Sequence, residues 1–323
     1  MHDNDAVPSA IERVKARKTA GRAFVDSVVV EEPLQIRLKR GADEDVVAVT
    51  MRTPGADLEL AAGFLYSEGV VTAPTELLEV KVCGDRSLTP RQRANTVVAT
   101  VDQRTVTPAR LLDRRFTMSS ACGVCGSTQL DDLRARGVAN VTPTPHTAER
   151  LAGLTEELRE RQKIFAKTGG LHAAALLTPE LEVRWVREDV GRHNAVDKVV
   201  GRLLLDHGLP ASGLALFVSG RASFEIVQKA WAAGFGTVVS VSAPTALAVD
   251  TARRAGITLV GLAGVQLQNL STLLLAPTRD KVLAEARLLA LELGQTPVEK
   301  RTELLKKYSN PGGVDFLLYD THG

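Results

Sequence analysis

The sequence predicts a mixed α/β protein in two parts, an α+β half followed by an α/β half built on a parallel sheet. Between residues 28 and 50, three short runs rich in apolar residues are separated by turn residues, the pattern of a small antiparallel sheet. Between 214 and 262, three apolar runs alternate with two amphipathic stretches that each stop at a glycine, which makes two consecutive strand–helix–strand units. At 323 residues the chain is long enough for about two cores of roughly 150 residues each.

Residues 1–24 are polar and lack the apolar core of a signal peptide, so they read as a flexible, solvated lead-in. Residues 25–146 form the expected α+β domain. Its strands are 28–30, 34–38 and 46–50, parted by Glu31-Glu32-Pro33 and Gly41-Ala42-Asp43. A helix follows over 57–68, with Asp57 as its cap, Leu60, Ala61, Phe64 and Leu65 as its apolar stripe, and Gly69 at its stop. Further strands are expected at 79–83 and 96–101. A polar helix over 147–162, after Thr142-Pro143-Thr144-Pro145, marks the boundary.

Residues 147–277 form the second domain. It opens with a hairpin, 171–177 and 182–187, turned at Thr178-Pro179-Glu180. Asn194 then caps a helix whose buried stripe is Val196, Val199, Val200, Leu203 and Leu204, ended by Gly208. Strand 214–218, helix 223–233 before Gly234, strand 237–241, helix 245–255 before Gly256, and strand 257–262 complete the order. Right-handed crossovers make the three strands parallel, and ligands of such sheets bind beyond the strands' carboxyl ends. Here those ends are Ser219-Gly220-Arg221-Ala222-Ser223 and Ser242-Ala243-Pro244-Thr245. Free N–H groups at two helix N-termini, together with Arg221, suit a phosphate, although Ser223 and Thr245 could equally do no more than cap their helices.

Residues 278–323 read as a helical extension. Val282, Ala286, Leu289, Ala290 and Leu293 make one stripe, and Thr296-Pro297-Val298-Glu299 is a capping box that opens a second helix. Such a hairpin is too small to bury its own stripe, so it is expected to dock on the sheet domain or on a second subunit.

Composition narrows the classes of function. With 44% hydrophobic and 24% charged residues the chain is an ordinary globular one, and a net charge of +2 argues against a nucleic-acid-coating surface. No apolar run approaches the 18 or so residues of a membrane span, so a cytoplasmic location is expected. Three cysteines cannot form a disulfide framework, which directs attention to Cys122 and Cys125.

These two thiols lie in Ser119-Ser120-Ala121-Cys122-Gly123-Val124-Cys125-Gly126. A zinc site would need further ligands, and only Cys83 or a distant histidine could supply them. A thioredoxin-like motif would not place Ala121 before the pair and Gly126 after it. A deaminase zinc site needs an upstream H-x-E, and the only upstream histidine is His2. Spacing alone leaves metal, redox and carrier roles open. Cys83 sits in a strand-like run and reads as a small buried hydrophobe. His193, with Arg192, Asp197 and Lys198 in the same turn, suits a phosphate or a sulfur, as does His172 beside Gly169-Gly170. A hydrogen-bonded structural histidine, and a solvated helix face for Asp197 and Lys198, are the alternatives.

Several motifs together resemble the FdhD family: Glu31-Glu32-Pro33-Leu34, Met51-Arg52-Thr53-Pro54-Gly55, the glycine-flanked cysteine pair, Thr168-Gly169-Gly170-Leu171-His172, the run from Arg187 through Lys198, and Val218-Ser219-Gly220-Arg221. The resemblance implies that the second domain is a cytidine-deaminase-like three-layer α/β domain without zinc. It also implies a homodimer and a sulfur carrier. Such a carrier takes persulfide from a cysteine desulfurase and serves the bis(molybdopterin guanine dinucleotide) molybdenum cofactor of the formate dehydrogenase catalytic subunit. On this reading Cys122 is the carrier and Cys125 assists. Cofactor contacts are expected from His193, Ser219, Arg221 and Ser242, and from Leu262-Ala263-Gly264-Val265-Gln266-Leu267, which lacks the aromatic and basic residues usual in that segment. The competing class is a non-enzymatic cofactor-binding chaperone that uses the pair as a redox latch.

Overall fold

The computed structural model of the chain describes residues 9–17, 23–105, 138–142, 146, 148–262 and 317–319. Their strands make a two-stranded ribbon, a four-stranded sheet and a six-stranded sheet. In the ribbon, β1 (Ile11–Arg17) pairs antiparallel with β2 (Ala23–Val29). A strand therefore lies where a solvated lead-in was expected. Backbone pairing holds it, and it has too few apolar residues to announce itself in the sequence.

The four-stranded sheet has the order β4-β3-β6-β5, made of β3 (Glu32–Arg40), β4 (Asp43–Arg52), β5 (Leu77–Val82) and β6 (Thr96–Val101). It is mixed, because β6 runs parallel to β3 while the other pairs are antiparallel. Alternate residues Leu34, Ile36 and Leu38 on β3, with Val97, Ala99 and Val101 on β6, share one core with α1 (Asp57–Ser67). The expected stripe of α1, Leu60, Ala61, Phe64 and Leu65, is buried there. Asp57 does not cap α1; Ala56 holds that position. The Asp57 carboxylate is instead taken by the buried Arg52, whose Nε and Nη2 reach its two oxygens at 3.0 and 2.9 Å. Arg52 Nη2 also donates to Asn95 Oδ1 at 2.7 Å, beside the short helix α2 (Pro90–Ala94). Cys83 is buried just after β5, as its strand-like setting suggested.

The six-stranded sheet has the order β12-β11-β10-β9-β7-β8. The hairpin β7 (His172–Leu177) and β8 (Val183–Asp189) forms one side, and β9 (Ala215–Arg221), β10 (Thr237–Ser242) and β11 (Thr258–Gly261) are parallel as expected. At the far edge β12 (Leu317–Tyr319) pairs antiparallel with β11, so the C-terminal extension contributes a strand to this domain. The helices expected in that extension lie outside the described residues.

Period-two alternation divides this sheet between two cores. Leu176, Leu216, Val218, Val238 and Leu259 face α5 (Arg192–Leu205), α6 (Phe224–Ala233) and α7 (Ala246–Ala255). Leu177, Phe217, Val239 and Val260 face the opposite helix, α3 (Ala148–Arg161). A short helix, α4 (Phe165–Thr168), precedes β7. Gly234 and Gly256 end α6 and α7 with φ of 84° and 78°, the left-handed conformation that glycine adopts without strain.

The two halves meet where α1 crosses α5. A Cβ at Gly63 would stand 1.8 Å from the Asp197 carbonyl oxygen, and one at Gly201 would stand 1.8 Å from that of Glu59. Glycine at both positions lets the backbones touch. Asn194 does not cap α5, which begins two residues earlier after Gly191. Its side-chain amide donates to the Met51 carbonyl at 2.7 Å and to Asp189 Oδ1 at 3.0 Å, which ties the end of β4 to the start of α5.

Candidate functional site

Because β7 runs antiparallel to β8 and β9, its first residue lies at the edge where those strands end. The N-termini of α5, α6 and α7 reach the same edge, since each helix follows the carboxyl end of β8, β9 or β10. Each leaves N–H groups unpaired by its own helix, and together they favour negative charge. The two expected loops are neighbours: Arg221 pairs with Ser242 across the strands, and the Thr245 N–H donates to the Ala222 carbonyl at 3.1 Å. Thr245 caps α7 with its side chain, accepting from the Ala248 N–H. Ser223 occupies the corresponding position on α6 but makes no side-chain cap bond.

The sequence-derived site residues differ in how free they are. Arg221 and Ser242 are exposed, and no ion pair to Arg221 occurs among the described residues. Ser219 is partly committed, since its Oγ accepts the Ala173 N–H at 2.8 Å. Leu262 packs against the core facing α3, and its N–H donates to the Ser240 carbonyl at 2.7 Å, so this donor is unavailable to a ligand. Cys122, Cys125 and residues 263–267 lie outside the described residues.

The edge also gathers side chains that the loops alone did not indicate. His172 packs its ring over Gly220, with Nδ1 3.5 Å from where a Cβ at that position would stand. Arg192 and His193 open α5, and the Arg192 Nε–H points at His193 Nε2 from 3.5 Å. Glu225 Oε2 lies 3.8 Å from the same nitrogen. Burial holds the His193 imidazole down at about 4, and the charges of Lys229 and Arg192 reinforce this against the pull of Glu225. His172 is lowered too, by burial first and Arg192 second. Burial raises the Glu225 carboxyl, but the neighbouring Ser223 hydroxyl and its own N–H outweigh that, and the net direction is down. That hydroxyl stands near Glu225 without meeting the geometry of a full hydrogen bond.

The rest of the run from Arg187 to Lys198 is neither phosphate site nor solvated face. Lys198 and Asp189 form a buried ion pair at 2.7 Å, and Lys198 also donates to the Thr53 and Glu188 carbonyls, both at 3.1 Å. The Thr53 N–H donates to Asp189 Oδ2 at 3.2 Å, and Thr53 Oγ1 accepts from the Val190 N–H at 3.2 Å. Asp197, which burial pushes up, receives the Ser67 hydroxyl at 2.7 Å and Lys229 Nζ at 2.8 and 2.9 Å. Arg187 grips Glu59 of α1 with two nitrogens. These residues join the two halves and hold the edge in shape.

Two clefts among the described residues lie away from this edge. One, of about 450 Å³, is lined by Tyr66, Asn140, Ser212 and Trp231 near the opposite end of the parallel strands. The other, of about 640 Å³, lies over Gln35, Arg37 and Asn95 on the first sheet. Among the described residues no cluster of His, Cys, Asp and Glu is placed to hold a metal, and no helix is long and apolar enough to cross a membrane.

Fold and edge together define a mixed α/β protein with an anion-suited, cationic sheet edge. Residues 29–269 match the model of the FdhD/NarQ family, and the chain belongs to that family. It is 46% identical over 251 residues to the sulfur carrier protein FdhD of Streptomyces avermitilis, covering 77% of this chain and 88% of that one. With the protein of that name from Sulfurisphaera tokodaii the identity is 41% over 256 residues, covering 78% and 92%. The fold is similar to the crystal structure of a protein assigned as a formate dehydrogenase accessory protein from Desulfotalea psychrophila. The TM-score is 0.57 at 24% identity, covering 80% of this chain and 94% of that one.

Proposed function

We propose that this chain is a cytoplasmic, homodimeric sulfurtransferase that carries persulfide sulfur from a cysteine desulfurase to the bis(molybdopterin guanine dinucleotide) cofactor of formate dehydrogenase. Family membership supports this most directly, because the matched residues include the Cys122–Cys125 pair and the relatives are named sulfur carriers. The second domain, with a hairpin on one side, three parallel strands and helices on both faces, is consistent with a deaminase-like layout.

In the loading step the Cys122 thiolate attacks the outer sulfur of the desulfurase persulfide. A new S–S bond forms on Cys122, the old one breaks, and the desulfurase thiolate leaves. In delivery the Cys125 thiolate attacks the inner sulfur of the Cys122 persulfide and expels the outer sulfur as sulfide. The two electrons gained by that sulfur come from the cysteine pair, which becomes a disulfide and is returned to two thiols by a dithiol reductant. The cofactor enters as substrate. Its guanine-nucleotide phosphates would meet Arg221, the Ser219 and Ser242 hydroxyls, and the helix N-termini, with His193 alongside.

Peptide mass spectrometry tests the carrier role after incubation with a desulfurase and cysteine. The expected result is one added sulfur atom on the Cys122 peptide, removable by a reductant. An unmodified pair under conditions that load another acceptor would leave the chaperone reading in its place.

A further inference from the structure

We infer that a diphosphate diester bound at the carboxyl edge of β9 and β10 draws a proton onto His193, so that binding and protonation are one coupled event. This rests on the reading of that edge as a phosphate site. The groups facing His193 come from three elements. Arg192 on α5 points its Nε–H at Nε2 from 3.5 Å, which makes that nitrogen an acceptor. Lys229 on α6 contributes a second positive charge and is itself held on Asp197 by contacts of 2.8 and 2.9 Å. His172, at the start of β7, and the N-terminal end of α5 add to the same sign of field. Among these groups Glu225, at 3.8 Å, is the one that favours an imidazolium.

Burial first, and the charges of Lys229 and Arg192 after it, keep the imidazole neutral at physiological pH without ligand, so that it holds its proton only near pH 4. A diphosphate diester carries two negative charges and has no ionisation of its own between pH 4 and 8. Seated against Arg192 and Arg221, its two negative charges oppose the cationic part of that depression and move His193 towards the imidazolium. The bound state then binds a proton that the free state does not. By linkage the ligand binds more tightly as the pH falls from 8 towards 5, by up to about tenfold for each unit that His193 rises on binding. His193 thus acts as a proton-coupled sensor of occupancy, while the fixed positive charge comes from the arginines and Lys229.

The test is calorimetry of the full chain with GDP-mannose, a guanosine diphosphate diester, at pH 5.5 in two buffers of different ionisation enthalpy. The expected result is uptake of a fraction of a proton per site, with affinity several-fold weaker at pH 7.5. The His193→Asn variant is expected to take up none and to lose most of that pH dependence. NMR of the wild-type histidine ring resonances, with and without the ligand, checks the same point without a variant, and the His193 resonance is expected to titrate at higher pH when the ligand is bound. Binding with no proton uptake and an unmoved His193 titration would overturn the inference and leave the phosphate site standing. No binding at any pH would overturn both.

Discussion

Two regions built from one stretch of sequence treat charge in opposite ways. At the crossing of α1 and α5, Arg187, Asp189, Asp197 and Lys198 are each matched to a partner at hydrogen-bond distance, and three of the four are buried. At the sheet edge a few residues away, Arg192 and His193 are half-buried, Arg221 is exposed, and their cationic neighbours outnumber Glu225. A buried ion pair tolerates almost no change in its partners, whereas an unmatched cationic edge is held ready for an incoming anion. The charged run therefore supplies both the frame and the first residues of the candidate site.

That contrast is sharpest at the crossing. Gly63→Val would place carbon atoms inside the Asp197 carbonyl contact and force the helices apart. Overpacking ordinarily costs about 1 to 3 kcal/mol, and a clash with backbone costs more. The expected outcome in thermal denaturation is loss of the cooperative transition. Lys198→Met comes next, since it leaves Asp189 buried without its cation, and a loss of about 3 to 5 kcal/mol in urea unfolding is expected.

The edge should respond to pH more than to truncation. The folded His193 resists protonation down to about pH 4, while in the unfolded chain it protonates near 6.5. Its contribution is therefore fully present above pH 6.5 and is lost as the pH falls towards 4, by at most about 3 kcal/mol. Asp197, shifted upward, contributes with the opposite sign, so the difference between wild type and His193→Gln across that window isolates the histidine. Arg221→Ala is the mildest change for the fold, within about 0.5 kcal/mol of wild type. In calorimetry with a guanine nucleotide it should weaken binding by about 1.5 to 3 kcal/mol, the range of a charge-assisted contact. A large stability loss at Arg221, or none at Lys198, would break the comparison.

The sequence made the frame of the second domain legible because its signals are local. Helix stops at Gly234 and Gly256, and apolar runs at 214–218 and 237–241, depend on residues within a turn or a strand of one another. Pairing over long distances was not legible. Nothing local shows that Glu59 serves Arg187, or that Asn194 reaches back to Met51. Asp197 and Lys198 could not be told from a solvated face, because their partners, Lys229 and Asp189, are fixed only by the packing of α5 against α6 and β8. At the edge, Ser219, Arg221 and Ser242 were readable as loop residues after strands. Glu225 and Lys229 were missed; their one signal was a pair of charges four residues apart at the start of a helix.

The carrier role of Cys122 is tested most directly in a strain whose only copy of this protein is the Cys122→Ala variant. The account predicts that the variant keeps the melting temperature of the wild type while formate dehydrogenase activity is lost. Full formate dehydrogenase activity in that strain would contradict it.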